Sequence, residues 1–303
     1  MTEAKSNPPE AKPAPARRLD ALGIVSMGLY MVVGGVFVFG FGRSLPSAVQ
    51  TQNETPCRSL RPYHARVTGV VLDAQGTPAA GAAVVPVIDG RSMGSVPIDP
   101  EDGSFSVFMP KGPQALRIEA PKKESLEAGF VLGPSELVDV KVSLADAGTE
   151  GGAFEELSRA PWMAPEFEVQ DSAGNRVSLS SMAGSLVVLN FWATWCEPCI
   201  TEWPQVAKLA DRVADRTDVA VLAVSIDAEQ GEIEPFLGRM SLDDSKVQVL
   251  WDETTKLHTQ YGSQKIPDTF FIDEQGRVAS VFVNTREWGS PDALHCLESS
   301  IGR

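Results

Sequence analysis

Cysteine is scarce in this chain, with four in 303 residues. That excludes a small disulfide-stapled scaffold, which needs a far denser framework. Histidine is scarcer still, at three, and the few Cys and His residues offer no second metal half-site. No metal or nucleotide cofactor is therefore expected. Positive charge is also in deficit: 26 Lys and Arg face 40 Asp and Glu, a net charge of −14. Such a chain is repelled by phosphate backbones, which excludes nucleic-acid binding as a function class. What the chain does have is 43% hydrophobic and 22% charged residues, the composition of a folded protein, and a length that fits two domains.

The longest uncharged run is 21–42, rich in Val, Phe, Gly, Met and Leu. A helix of roughly 20 residues crosses the hydrocarbon core of a bilayer. Lys5, Lys12, Arg17 and Arg18 precede the run in a proline-rich tail, and Arg43 follows it. Positive charge stays in the cytoplasm. The expectation is a single-pass anchor over 21–42 in a bacterial cytoplasmic membrane, with a cytoplasmic tail over 1–20 and the body outside, in the periplasm or its equivalent. The competing reading is a cleaved signal peptide, but the run exceeds the usual 7–15 apolar residues and Pro46-Ser47-Ala48 is a poor cleavage site. Either way the body lies where disulfides persist. Residues 43–64 lack periodicity and read as a linker.

Over 65–145 the pattern becomes short apolar runs separated by Gly and Pro turns. The runs are Val67–Leu72, Ala83–Ile88, Ser104–Met109, Ala115–Glu119 and Leu137–Leu144; the turns include Gly76-Thr77-Pro78, Asp89-Gly90 and Asp102-Gly103. Strands spaced this way predict an all-β sandwich. The stretch Val67-Thr68-Gly69-Val70-Val71-Leu72-Asp73, with Gly81-Ala82-Ala83-Val84 and Asp99-Pro100-Glu101-Asp102-Gly103-Ser104-Phe105, resembles the carboxypeptidase regulatory-like sandwich. It holds no catalytic cluster, and a spacer or docking role is expected. The Gly, Glu and Ala-rich residues 146–160 read as a second linker.

From residue 161 to 303 strands and helices alternate. Ser185–Trp192 and Val219–Ile226 read as strands buried on both faces. Helices are expected over Cys196–Asp215, Ala228–Arg239, Glu253–Tyr261 and Pro291–Ile301, and Asp273-Glu274-Gln275-Gly276 marks a closing hairpin. This predicts an α/β sheet with helices on both faces.

Between the first of those strands and its helix stands Trp195-Cys196-Glu197-Pro198-Cys199. A Cys-x-x-Cys at a strand-to-helix junction is a thioredoxin-like redox motif. The spacing brings both sulfurs across one helical turn. The first cysteine meets the free N–H groups and positive end of the helix, which stabilise a thiolate, and the thiolate is the nucleophile of disulfide exchange. Cys196 is expected to attack a substrate disulfide and Cys199 to resolve the mixed disulfide. An oxidised Cys196–Cys199 pair closes the cycle.

The wider context resembles a known family. Ala164-Pro165-Glu166-Phe167, Leu189-Asn190-Phe191-Trp192-Ala193-Thr194-Trp195-Cys196-Glu197-Pro198-Cys199 and Ile266-Pro267-Asp268-Thr269-Phe270-Phe271-Ile272-Asp273 are similar to the TlpA/ResA-type membrane-anchored thiol-disulfide oxidoreductases. The resemblance implies a thioredoxin-like fold over 161–303 and reductase activity outside the membrane, often in cytochrome c maturation. It also implies a disulfide-bearing protein substrate such as apocytochrome c and a membrane thiol electron donor. Pro267 matches the family's cis-proline, Pro204 its helix-interrupting proline. Trp195, Glu197, Pro198, Ile266 and Asp268 would line the substrate groove. Glu202 matches an acidic residue on the first helix; three residues after Cys199 it shares a helical face with that thiol and could take its proton. Thioredoxins carry a buried Asp where this chain has Asn190, so Glu202 is the one expected relay. The family's usual Thr after the cis-proline is replaced by Asp268, which would disfavour the Cys196 thiolate or attract basic substrate surfaces.

Cys57 and Cys296 have no partner pattern. Cys57 is expected near the membrane, open to an intermolecular bond, and Cys296 as a small buried hydrophobe. His258 and His295 read as structural. Two other function classes compete: a peroxiredoxin, for which Thr194 stands too close to Cys196 and the upstream Pro is missing, and a partner-binding protein acting through its sandwich. A disulfide oxidase or isomerase of the same fold uses the same cysteine spacing.

Overall fold

The structure, a computed structural model, describes residues 57–301 apart from residues 147, 150 and 243. The expected tail and membrane span lie outside the described residues. Among the described residues no helix is long and apolar enough to cross a membrane.

The sandwich comprises β1 (Ala65–Leu72), β2 (Ala83–Ile88), β3 (Arg91–Ser92), β4 (Val96–Pro97), β5 (Ser104–Met109), β6 (Gly112–Glu119), β7 (Leu126–Leu132), β8 (Glu136–Ser143) and β9 (Ala153–Pro161). One sheet runs β5-β1-β8-β9; the other runs β3-β2-β6-β7, with β4 also on β2. Burial alternates along β1, β5 and β8, the period of a strand with one face inward. The inward residues, among them Val67, Phe105, Val107, Met109, Leu116, Ile118 and Val140, form one core between the sheets. Gly103 ends its turn at φ +78, a backbone conformation that glycine adopts without penalty.

The linker expected over 146–160 is replaced in part by β9, which pairs antiparallel with β8 from Ser143↔Ala153 to Glu136↔Pro161. Nearly all of its side chains are exposed. It is held by backbone hydrogen bonds rather than by an apolar face, so hydrophobic periodicity gives no sign of it.

The α/β module follows with β10 (Glu168–Asp171), β11 (Arg176–Ser178), β12 (Leu186–Trp192), α1 (Glu197–Arg212), β13 (Val219–Ser225), α2 (Ile233–Met240), β14 (Gln248–Trp251), α3 (Leu257–Gln260), β15 (Asp268–Ile272), β16 (Val278–Val283) and α4 (Pro291–Ser300). The sheet order is β11-β10-β14-β13-β12-β15-β16. β12 is buried along its whole length, parallel to β13 and antiparallel to β15. This is the thioredoxin-like arrangement. The second expected helix starts late, because Gln230–Glu232 form a 3₁₀ turn before α2.

Helices do not cover both faces alone. Residues of α1, α2 and α4 pack on one face. On the other, α3 and Tyr261 share the cover with residues of the sandwich: Phe108 of β5 lies 5.7 Å from the Trp162 ring and 5.9 Å from the Phe270 ring. Arg66 Nη1 of β1 donates to Gln260 O at 2.9 Å. The sandwich therefore takes the place of part of a helical layer.

Residues 57–64 are no free linker either. Arg58–Leu60 form a 3₁₀ turn, Leu60 is buried in the α1/α4 core, and Tyr63 exchanges two 2.8 Å backbone hydrogen bonds with Val281 of β16. Cys57 is disulfide-bonded to Cys296 of α4, which corrects both the intermolecular expectation for Cys57 and the unpaired one for Cys296. The two cysteines are 239 positions apart, and nothing local in a sequence records such a pairing.

Candidate active site

The loop between β12 and α1 is fixed from below by Asp227, which is fully buried just beyond the end of β13. Its carboxylate accepts from Thr194 N at 3.0 and 3.1 Å, from the Thr194 hydroxyl at 2.7 Å and from the Ser225 hydroxyl at 2.6 Å. The loop thus delivers Cys196 to the N-cap of α1, with Pro198 in the first turn, where its missing N–H costs nothing. Asp227 escaped the sequence reading. An acidic residue immediately after an apolar parallel strand was the available signal.

Cys196 and Cys199 are joined as a disulfide. Cys196 Sγ accepts from Cys199 N at 3.3 Å, the contact by which a helix N-terminus would hold a thiolate. Cys196 keeps 6% of its surface exposed and Cys199 1%, so the first cysteine is the more open of the two. Ile266 O lies 3.6 Å from Cys196 Sγ, and the Ile266–Pro267 peptide is cis. Trp195, Glu197 and Pro198 are exposed beside the disulfide, Trp195 to 65%; Ile266 is half-buried and Pro267 buried. α1 continues through Pro204.

Two carboxyl groups are buried close to these residues in the chain, Glu202 three positions after Cys199 and Asp268 next to Pro267. Glu202 is 3% exposed. Its Oε1 accepts from Arg286 N and Trp288 Nε1, each at 2.8 Å, and its Oε2 from Asn190 Nδ2 at 3.2 Å. Asn190 Nδ2 also donates to Thr269 Oγ1 at 2.9 Å, across the β12–β15 pair that sets these two residues opposite each other. Burial pushes Glu202 up to about 7 against the pull of those donors and of the Arg286 charge.

Asp268 is 2% exposed. Its carboxyl is therefore withdrawn from solvent, which runs against the expectation that it would attract basic substrate surfaces. Its Oδ2 accepts from the Ser263 hydroxyl at 2.6 Å and its Oδ1 from Asn284 N at 3.2 Å. Burial raises it to about 7, and the Glu202 charge pushes the same way. Glu202 is thus not the sole buried carboxyl near the cysteines. His258 sits half-buried, 6.3 Å from the Phe191 ring, and burial lowers its pKa.

A profile described as the AhpC/TSA family matches residues 162–281. The thioredoxin-like protein YneN of Bacillus subtilis is 32% identical over 122 residues, 40% of this chain and 70% of that protein. The thiol-disulfide oxidoreductase ResA of Bacillus anthracis is 32% identical over 120 residues, 40% of this chain and 67% of that protein. Among solved structures, one described as a thiol:disulfide interchange protein DsbE from Chlorobium tepidum is 30% identical and covers 46% of this chain and 92% of its own, with a TM-score of 0.39.

Proposed function

This chain belongs to the thioredoxin-like thiol-disulfide oxidoreductases of the ResA type, and on that premise we propose that it works as a disulfide reductase on the outer side of the cytoplasmic membrane. Cys196, as thiolate, attacks one sulfur of a client disulfide. A mixed disulfide forms and the client's other sulfur leaves as thiolate. Cys199 gives its proton to Glu202 and attacks Cys196 Sγ, releasing the second client thiolate. Two electrons have then passed to the client, and the chain is left with the Cys196–Cys199 disulfide. A membrane thiol donor restores the dithiol by the reverse exchange. The exposed Trp195 and the Ile266 carbonyl flank the attacking sulfur and would seat the client backbone. Apocytochrome c is the client class we propose, and the run 21–42 the anchor.

One observation carries the direction. The groups buried close to Cys199 and Pro267 in the chain are carboxyls, Glu202 and Asp268, with no cation in contact with either sulfur among the described residues. Negative charge near a thiolate disfavours it. A pair whose reduced form is poorly stabilised is reducing, the reverse of DsbA, whose stabilised reduced form makes it a strong oxidant. Against a peroxidase reading, the Thr194 hydroxyl is turned to Asp227, away from framing Cys196.

The test is the reduction potential of the Cys196–Cys199 pair. A value near or below the roughly −270 mV of thioredoxin supports the reductase; a value near the roughly −120 mV of DsbA makes the chain an oxidant and removes the proposal.

A further inference from the structure

The loop that follows β16 is tied at both ends of an unusual chain of contacts. Asn284 N donates to Asp268 Oδ1, Arg286 N to Glu202 Oε1, and Trp288 Nε1 to the same Glu202 oxygen. One short loop therefore grips both buried carboxyls. The loop is itself shaped by the Arg286 side chain, whose Nη1 donates to Thr285 O at 2.8 Å and Asn284 O at 3.2 Å, and whose Nε donates to Leu60 O at 2.8 Å. Leu60 belongs to the segment 57–63, which is fastened at one end by the Cys57–Cys296 disulfide and at the other by the Tyr63–Val281 backbone pair. Cys57, Leu60 and Tyr63 thus form a clamp with three fixings, and its middle one is the Arg286 side chain.

We propose that Arg286 is a positioning residue for Glu202 and Asp268, and that the disulfide-fastened segment 57–63 holds it there, so that this segment sets the pH at which Cys199 becomes a nucleophile. The inference rests on the reading of Glu202 as acceptor of the Cys199 proton. The groups that act on the pair are Asn190 on β12, Ser263 before β15, and Asn284, Arg286 and Trp288 on the loop; Arg61 and Tyr63 of the clamp act on Arg286 in turn. Aligned N–H donors and a nearby cation favour an ionised carboxyl. Releasing the loop weakens both, so Glu202 would hold its proton to higher pH and would accept the Cys199 proton only there.

The experiment uses the full-length protein with the Cys196–Cys199 pair reduced, mixed with 5,5′-dithiobis(2-nitrobenzoate). The first thionitrobenzoate is released when Cys196 attacks; the second, when Cys199 resolves the mixed disulfide. The rate of the second release is followed against pH in wild type, Arg286→Gln, Arg286→Lys, the double variant Cys57→Ala/Cys296→Ala, and Glu202→Gln. The expected result is a midpoint about one pH unit higher in Arg286→Gln and in the double cysteine variant, equal to about tenfold slower resolution at a fixed pH below the midpoint, with Arg286→Lys in between. Variants that melt earlier but keep the wild-type midpoint would make the clamp merely structural and overturn the proposal, provided Glu202→Gln does move the second release. Should Glu202→Gln leave the second release unchanged as well, the assignment of Glu202 itself fails and the proposal falls with it.

Discussion

Replacing Glu202 with Gln should remove most of the pH dependence of stability that the site imposes on the oxidised protein. The carboxyl is raised from its ordinary 4.5 to about 7, mainly by burial. A folded-state value above the unfolded one means that the native protein holds the proton longer. Its contribution is then favourable at low pH and is lost as pH rises from about 4.5 through about 7. Two and a half pH units correspond to roughly 3 kcal/mol. Gln has the same shape: its carbonyl can accept from Arg286 N and Trp288 Nε1, and its amide can face Asn190 once that side chain turns over. Removing the charge also relieves Asp268 of a like-charged neighbour, which flattens the profile further. Urea unfolding at constant ionic strength from pH 5 to 8.5, followed by fluorescence, reads this directly. All six tryptophans lie at or beyond residue 162, so the signal arises from the α/β module and its contact with the sandwich at Trp162. Wild type should lose roughly 2–3 kcal/mol more than Glu202→Gln across that range, part of the full change having already occurred below pH 5. Parallel profiles for the two proteins would refute the argument, since the carboxyl would then ionise in the fold as easily as in the unfolded chain.

Asp227→Ala strips the acceptor from the Thr194 and Ser225 donors, leaving buried polar groups unpaired; we expect a loss of about 3 kcal/mol in urea unfolding and a slower first thionitrobenzoate release, because the loop that presents Cys196 loses its tether. Gly262→Ala sets a Cβ 2.6 Å from Arg66 Nε at a φ of +85, and should lower thermal stability by an amount equal to about 1–3 kcal/mol. Adding Arg66→Ala should recover the steric part and leave the backbone part, a non-additivity that a double-mutant cycle measures.

The redox centre was legible because its chemistry is local. Cys196 and Cys199 are one turn apart, and the strand and helix flanking them carry period-2 and period-3.6 signals of their own. Glu202 was legible for the same reason, as a helical neighbour of Cys199. Asp268 was visible as a carboxyl beside Pro267, yet its burial was not, because that depends on Ser263 and Asn284 reaching it from two other loops. The Cys57–Cys296 pairing, the Arg286 contacts and the packing of Phe108 on Trp162 all join residues far apart in the chain. No window on the sequence contains both partners. β9 went unseen for a different reason: an edge strand with exposed side chains on both faces carries no hydrophobic rhythm, only backbone hydrogen bonds.

The replacement of part of a helical layer by the sandwich bears on how this protein can be divided. The stretch that matches the AhpC/TSA profile ends at residue 281, within β16. A fragment cut to those limits would leave the Trp162 and Phe270 rings without Phe108, and would discard Arg286, Trp288 and α4, which close over Glu202 and the opposite face. The stretch that the profile matches is smaller than the packed unit seen here. Any truncation meant to isolate the redox chemistry should therefore follow the packing and keep residues 57 to 301 intact.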